Sequence, residues 1–141
     1  MLEAARDAAE GLAQPPCLLG VTVLTSLSEA DLDSLGLTLS PSLWTERLAA
    51  LAADSGIRGL VCSPREAALL RLRCGRGMTL VVPGIRPAGS ALQDQARTAA
   101  PAETIRAGAD FIVVGRPILQ APDRRKAARR ILLQIEEGLQ A

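Results

Sequence analysis

Two arginines and their neighbours form the part of this sequence best suited to chemistry. Arg86 lies in Pro83-Gly84-Ile85-Arg86-Pro87, and Arg116 lies in Val114-Gly115-Arg116-Pro117-Ile118. A guanidinium presents a planar fork of donors that matches phosphate oxygens two at a time. Gly84 permits close backbone approach and Pro87 stiffens the exit. Gly115, at a strand end just before a helix start, offers backbone N–H groups to an anion. A third segment, Thr22-Val23-Leu24-Thr25-Ser26, ends in Thr25, whose hydroxyl can hydrogen-bond an amide edge of a flat heterocycle. Gln95, near the far end of the stretch that follows Pro87, has the reach to touch both phosphate and base. Taken singly, the Thr25 segment reads better as a strand-end turn, the Arg86 stretch reads equally well as a solvated loop, and Gly115-Arg116 also fits an ordinary strand-to-helix turn. Arg86 and Gly115-Arg116 on successive strands together point to a phosphate monoester, because barrel phosphate sites favour the loops after the last two strands.

What is missing narrows the chemistry further. The chain has no histidine, which removes the commonest general base, the commonest zinc ligand and any Ser-His or Cys-His nucleophile pair. Its single lysine is Lys126. The three cysteines, Cys17, Cys62 and Cys74, are odd in number and widely spaced, so they suggest neither a disulfide framework nor a metal site. Cys17 and Cys62 adjoin apolar runs and read as small core residues. No Gly-rich nucleotide loop of the dinucleotide or Walker type occurs.

The elements that must position these residues follow from the apolar pattern. Four short runs, Leu18 to Leu24, Gly59 to Cys62, Leu80 to Ile85 and Phe111 to Gly115, are rich in β-branched residues or Leu and do not alternate with polar ones. Strands covered on both faces by helices read this way. Helical punctuation separates them. Leu2 to Leu12 is amphipathic and ends near Gly11. Ser28 opens a short helix that Gly36 stops, and Ser40 caps one from Pro41 to about Asp54, closed by Gly56. Ser63-Pro64-Arg65-Glu66 has the form of a capping box. Pro101 to Ala107 is short and stopped by Gly108. Asp123 to Leu139 places Ala127, Ala128, Ile131, Leu132, Ile135 and Leu139 on one stripe. The stretch from Pro87 to Ala100 shows neither period and is long for a strand-to-helix connection, as lids over ligands often are.

Strand and helix thus alternate four times, in an α/β chain of one domain, residues 1–141. Four βα units are half of an eight-fold barrel; a four-stranded doubly wound sheet fits the same pattern. Hydrophobic residues make up 48% of the chain and aromatics 1%, so the core is built of small aliphatic side chains. A net charge of +1 argues against nucleic acid or an anionic membrane as partner. The Arg124 to Arg130 cluster, at helical spacing and without aromatics, reads as a solvated face rather than a nucleic-acid site. No apolar run reaches the roughly 20 residues of a membrane-spanning helix, and the N-terminus lacks a signal-peptide core, which sets a soluble cytoplasmic expectation.

In this order and spacing, VTVLTS, TLSP, GLVCSPREA, PGIRPAGSALQDQAR, AGADFIVVGRPI and the last amphipathic helix resemble the C-terminal half of bacterial orotidine 5′-phosphate decarboxylases. The resemblance runs essentially end to end; PGIRP with its DQ partner and VGRPI are its specific parts. It implies half of a TIM (β/α)8 barrel of the ribulose-phosphate-binding type, acting as a dimer without metal or organic cofactor. The implied reaction converts orotidine 5′-monophosphate to uridine 5′-monophosphate and carbon dioxide, the last step of pyrimidine synthesis. Thr25 would contact the pyrimidine amide, and Arg86, Gln95, Gly115 and Arg116 would hold the phosphate, Gln95 also reaching the base.

The departure from the family is the catalytic array, an Asp-x-Lys-x-x-Asp pattern on an early strand, which this chain lacks. Lys126, in the last helix, faces away from a barrel mouth. Arginine is a poor proton donor, with a pKa above roughly 12. No catalytic residue is therefore assigned, and the chain alone is expected to be inactive. The partners this implies are a small nucleotide, orotidine or uridine 5′-monophosphate, and either the missing N-terminal half-barrel or a second copy. Such a half-barrel has two unpaired sheet edges and an open apolar interior. Two other readings remain at this stage: a non-catalytic phosphate-binding or assembly half-barrel, and a related barrel lyase or aldolase acting on sugar phosphates.

Overall fold

The computed structural model describes residues 1–87 and 97–140. Each of the four apolar runs forms a strand: β1 (Leu19–Val21), β2 (Gly59–Val61), β3 (Thr79–Val82) and β4 (Phe111–Ile112). They pair in parallel in the order β1-β2-β3-β4. Gly20 faces Leu60, Leu60 faces Leu80, and Val82 faces Ile112. A doubly wound sheet reverses its strand order at a switch point. Here every strand adds beside the one before it, as in a (β/α)8 barrel. The topology therefore decides between the two architectures that periodicity leaves open: the fold is four βα units of a barrel.

The helices form largely where their caps stand. α1 (Leu2–Glu10) ends at Gly11. At the start of α2 (Glu29–Ser34), Ser28 and Asp31 exchange hydrogen bonds, the Ser28 hydroxyl and amide both donating to the Asp31 carboxylate at 2.6 and 2.8 Å. Those donors, the hydroxyl first, hold the Asp31 carboxyl below its ordinary pKa. α3 (Pro41–Asp54) follows Ser40, whose hydroxyl accepts from the Leu43 amide, and closes at Gly56, φ 80°. α4 (Ala67–Cys74) departs from expectation. Ser63 to Glu66 makes a turn ahead of the helix, and the Ser63 hydroxyl donates to the Glu66 carboxylate instead of capping a helical amide. Glu66 is drawn inward by a buried arginine, described below. α5 (Pro101–Arg106) and α7 (Arg124–Leu139) flank a short α6 (Arg116–Leu119) that periodicity could not show.

The core lies between the sheet and its helices. Leu60, Cys62, Leu80 and Val82 are fully buried against Ala49 and Ala52 of α3 and Leu70 of α4. The other face of the sheet is open, with Val21 57% and Phe111 60% exposed. Burial on both faces is thus corrected to burial on one, because four strands do not curl far enough to close on themselves. Cys17 is also corrected. It is exposed in the connector that follows Pro15-Pro16, two positions short of β1, whereas Cys62 is buried as expected. The stripe on α7 is narrower than its sequence suggests: Ile131 and Gly138 are buried, while Leu132 and Leu139 are exposed. α7 packs mainly on α5 and α6, so a narrow contact suffices.

The amino ends of β3 and β4 are pinned by Arg71 of α4. Its guanidinium donates to the carbonyls of Gly75, Met78 and Gly108 and pairs with Asp110 at 2.6 Å. Asp110 in turn accepts from the Leu80 amide at 2.7 Å.

Two outcomes test this packing. A Cβ at Gly138 would sit 2.8 Å from the Ala102 carbonyl oxygen and 2.9 Å from the Ile105 Cβ. Gly138→Ala should therefore lower the unfolding free energy by about 1–3 kcal/mol in denaturant titration, the scale of overpacking. Cys17 should react with a thiol alkylator in the native protein, while Cys62 should react only after denaturation.

Candidate functional site

Because the strands are parallel and sequential, their carboxyl ends share one rim, where the binding residues of such sheets gather. A small open pocket of about 110 Å³ lies there. Val21, Val23, Leu24, Thr25 and Ser26 from the β1 exit line it, with Val61, Cys62 and Pro83 from the next two strands. Its walls are mostly aliphatic, and Thr25 and Ser26 supply hydroxyls, a composition suited to a flat ring with polar edges. The Cys62 thiol at its base is pushed up to about 12, by burial first and by the Glu66 carboxylate second. It remains a protonated, unreactive packing group.

The described site candidates, Thr25, Arg86, Gly115 and Arg116, all follow strand exits. Thr25 is half-buried at the pocket. Arg86 is buried; its amide donates to the Ala99 carbonyl at 3.0 Å and its guanidinium to the Ile85 carbonyl at 2.8 Å. Ile85 and Ala99 form an isolated parallel bridge, so the stretch that sequence left without period ends in a strand-like pairing. Gly115 is exposed, with nothing within 4 Å of an added Cβ, and precedes α6; Arg116 is half-buried at its first turn. The β3–β4 register relates the two arginines. Val82 pairs with Ile112, and Arg86 and Arg116 each lie four residues further on (86 − 82 and 116 − 112). Neither arginine nor Gly115 is among the residues lining the pocket at Thr25. Gln95 lies outside the described residues. Lys126 is exposed in the first turn of α7.

Sequence reasoning missed the most elaborate side-chain assembly on this rim. Arg97 and Glu66 are 5% and 4% exposed and pair at 3.0 Å. The Arg97 Nη2 donates to the carbonyls of Val23 at 3.0 Å and Leu24 at 2.9 Å, the two residues before Thr25. The other Glu66 oxygen accepts from the Ser63 hydroxyl. A Cβ at Gly84, φ 81°, would lie 3.1 Å from the Arg97 carbonyl oxygen, 3.5 Å from Pro64 and 3.6 Å from Thr25. Gly84 does serve close backbone approach, and the backbone that approaches is Arg97's. The only signal in the sequence was a lone arginine in a stretch without period. Glu66 was masked by its apparent place in a capping box.

Residues 1–131 match the model of the family described as orotidine 5′-phosphate decarboxylase / HUMPS. The orotidine 5′-phosphate decarboxylase of Anaeromyxobacter dehalogenans is 54% identical over 129 residues, covering 92% of this chain and 57% of that protein. The enzyme of the same name from Idiomarina loihiensis is 45% identical over 137 residues, covering 97% of this chain and 59% of that protein. Among solved structures, orotidine 5′-phosphate decarboxylase from Lactobacillus acidophilus superposes with a TM-score of 0.78 at 34% identity, over 96% of this chain and 58% of that one. This chain spans less than three fifths of the length of these relatives. A match of this extent, on the same rim-bearing fold, fixes descent: the chain belongs to the orotidine 5′-phosphate decarboxylase / HUMPS family.

Proposed function

We propose that this chain is the C-terminal half of an orotidine 5′-phosphate decarboxylase barrel and supplies its phosphate and pyrimidine grip. The observation that carries the proposal is the common offset of Arg86 and Arg116 beyond the paired tips of β3 and β4. Two guanidinium groups that follow adjacent strands at the same sequence offset suit a single phosphoryl group. Thr25, two strands away across the rim, faces a pocket of the right character for a pyrimidine edge. Gly115 and Gln95 complete the set in this reading, Gln95 spanning phosphate and base.

The chemistry then divides. Holding the phosphate secures the substrate through a group that does not react, and that remote binding energy fixes the pyrimidine where the carboxylate departs. Loss of carbon dioxide leaves a carbanion at the ring carbon, which needs a proton. This chain has no lysine on any strand, and its arginines hold their protons too tightly to serve. The proton donor and its flanking acidic residues therefore belong to the other half of the barrel. That half would also cover the apolar face carrying Val21 and Phe111. The completed enzyme, in this reading, is a cytoplasmic dimer that uses no metal or organic cofactor.

Calorimetric titration of the chain with uridine 5′-monophosphate and with ribose 5-phosphate tests the assignment. The nucleotide should bind more tightly, because only it offers a base to Thr25. Arg116→Ala should weaken both ligands by about 1.5–3 kcal/mol, the scale of one charge-assisted hydrogen bond. Equal affinity for the two ligands would reduce the site to phosphate binding alone and favour the non-catalytic module. No effect of Arg116→Ala would remove that residue from the site.

A further inference from the structure

The buried Arg97–Glu66 pair is not among the residues assigned to phosphate or base above, yet it joins the segments that bear Thr25 and Arg86. Beyond Val61, whose carbonyl takes the Thr22 amide at 3.0 Å, β1 runs past its strand partner. The next carbonyls, Val23 and Leu24, accept from one nitrogen of Arg97. The other terminal nitrogen holds Glu66, which Ser63 ties to the exit of β2. The Arg97 backbone packs on Gly84, and two residues later Ala99 bridges Ile85 and takes the Arg86 amide at 3.0 Å. One residue thus contacts the exits of β1, β2 and β3 at once. Burying such a pair brings little net stability, since desolvation offsets most of the attraction; its use lies in fixing geometry.

We propose that Arg97 is a positioning residue that locks the Thr25 end of the rim to the Arg86 end, setting the span across which a nucleotide is held. The ligand part of this rests on the function proposed above; the mechanical tie does not. A planar fork can satisfy two carbonyls and a carboxylate together, whereas an ammonium on a flexible stem cannot hold all three in one plane. Arg97→Lys keeps the charge opposite Glu66 and removes the fork.

Two readouts on the full chain test the tie, and neither would follow from a general loss of stability. The first is amide hydrogen exchange by NMR. In Arg97→Lys the amides of Leu27, bonded to the Leu24 carbonyl, and Arg86, bonded to the Ala99 carbonyl, should both exchange about tenfold faster through local opening. The Leu80 and Asp110 amides at the opposite end of the sheet should be unchanged. A rise at only one strand exit, or a uniform rise throughout, overturns the coupling. The second is the ratio of affinities for uridine 5′-monophosphate and ribose 5-phosphate. It should fall about tenfold in Arg97→Lys, the worth of one well-placed polar contact. An unchanged ratio in a folded variant overturns the positioning role. Should Arg97→Lys fail to fold, Glu66→Gln removes the charge at constant shape and takes the same two measurements. If the wild-type chain shows no preference for the nucleotide, the proposed function fails, and the exchange pattern alone decides the tie.

Discussion

A parallel sheet that adds its strands in chain order carries every strand exit to one rim. At that rim the chain leaves the ladder, and its amides and carbonyls must find other partners. The Val23 and Leu24 carbonyls find Arg97, and the Arg86 amide finds Ala99. The rim is held by cross-links between connectors rather than by the sheet below it. Gly84 is where this becomes tightest, because the backbone of Arg97 and the side chains of Pro64 and Thr25 all close on its missing Cβ.

The two ends of the sheet use arginine for different purposes. At the amino end, Arg71 collects three backbone carbonyls and Asp110 in a partly exposed position, where water screens its charge. At the carboxyl end, Arg97 is enclosed and opposes a single carboxylate, so any misfit leaves an uncompensated charge in a poor solvent. The first arrangement secures the loops at the base of β3 and β4. The second makes the relative placement of three strand exits strongly determined. A grip for a small rigid ligand requires that determination, because an error of an ångström between its ends forfeits the advantage of prior orientation.

The local elements were readable from the sequence because their signals are local. Ser28 with Asp31, Ser40 with Pro41, Gly56 and Gly108 each act within a turn of the chain, and each marks a helix end in the structure. The strand order was not readable, since it depends on which strands meet and not on any one of them. The exposure of Val21 and Phe111 was hidden for a similar reason: an apolar residue facing an open half-barrel looks like one facing a core. Glu66 shows how a local signal can mislead. Its spacing from Ser63 fits a cap, yet a partner 31 residues away takes it for an ion pair. Of the candidate residues, Arg86 and Arg116 stand out because glycine and proline frame their segments, and Thr25 because its hydroxyl ends an apolar run, whereas Arg97 has neither mark.

The proposed function divides binding from chemistry: phosphate and pyrimidine contacts would lie on this chain, and the proton donor on the other half of the barrel. The most direct measurement is release of carbon dioxide from orotidine 5′-monophosphate, first by this chain alone and then with the part of the Anaeromyxobacter enzyme that lies outside the matched 57%. The chain alone should release none, and the mixture should release it. Turnover by the chain alone, surviving purification to homogeneity, would contradict that division, because no residue the chain contains could then be excused from supplying the proton.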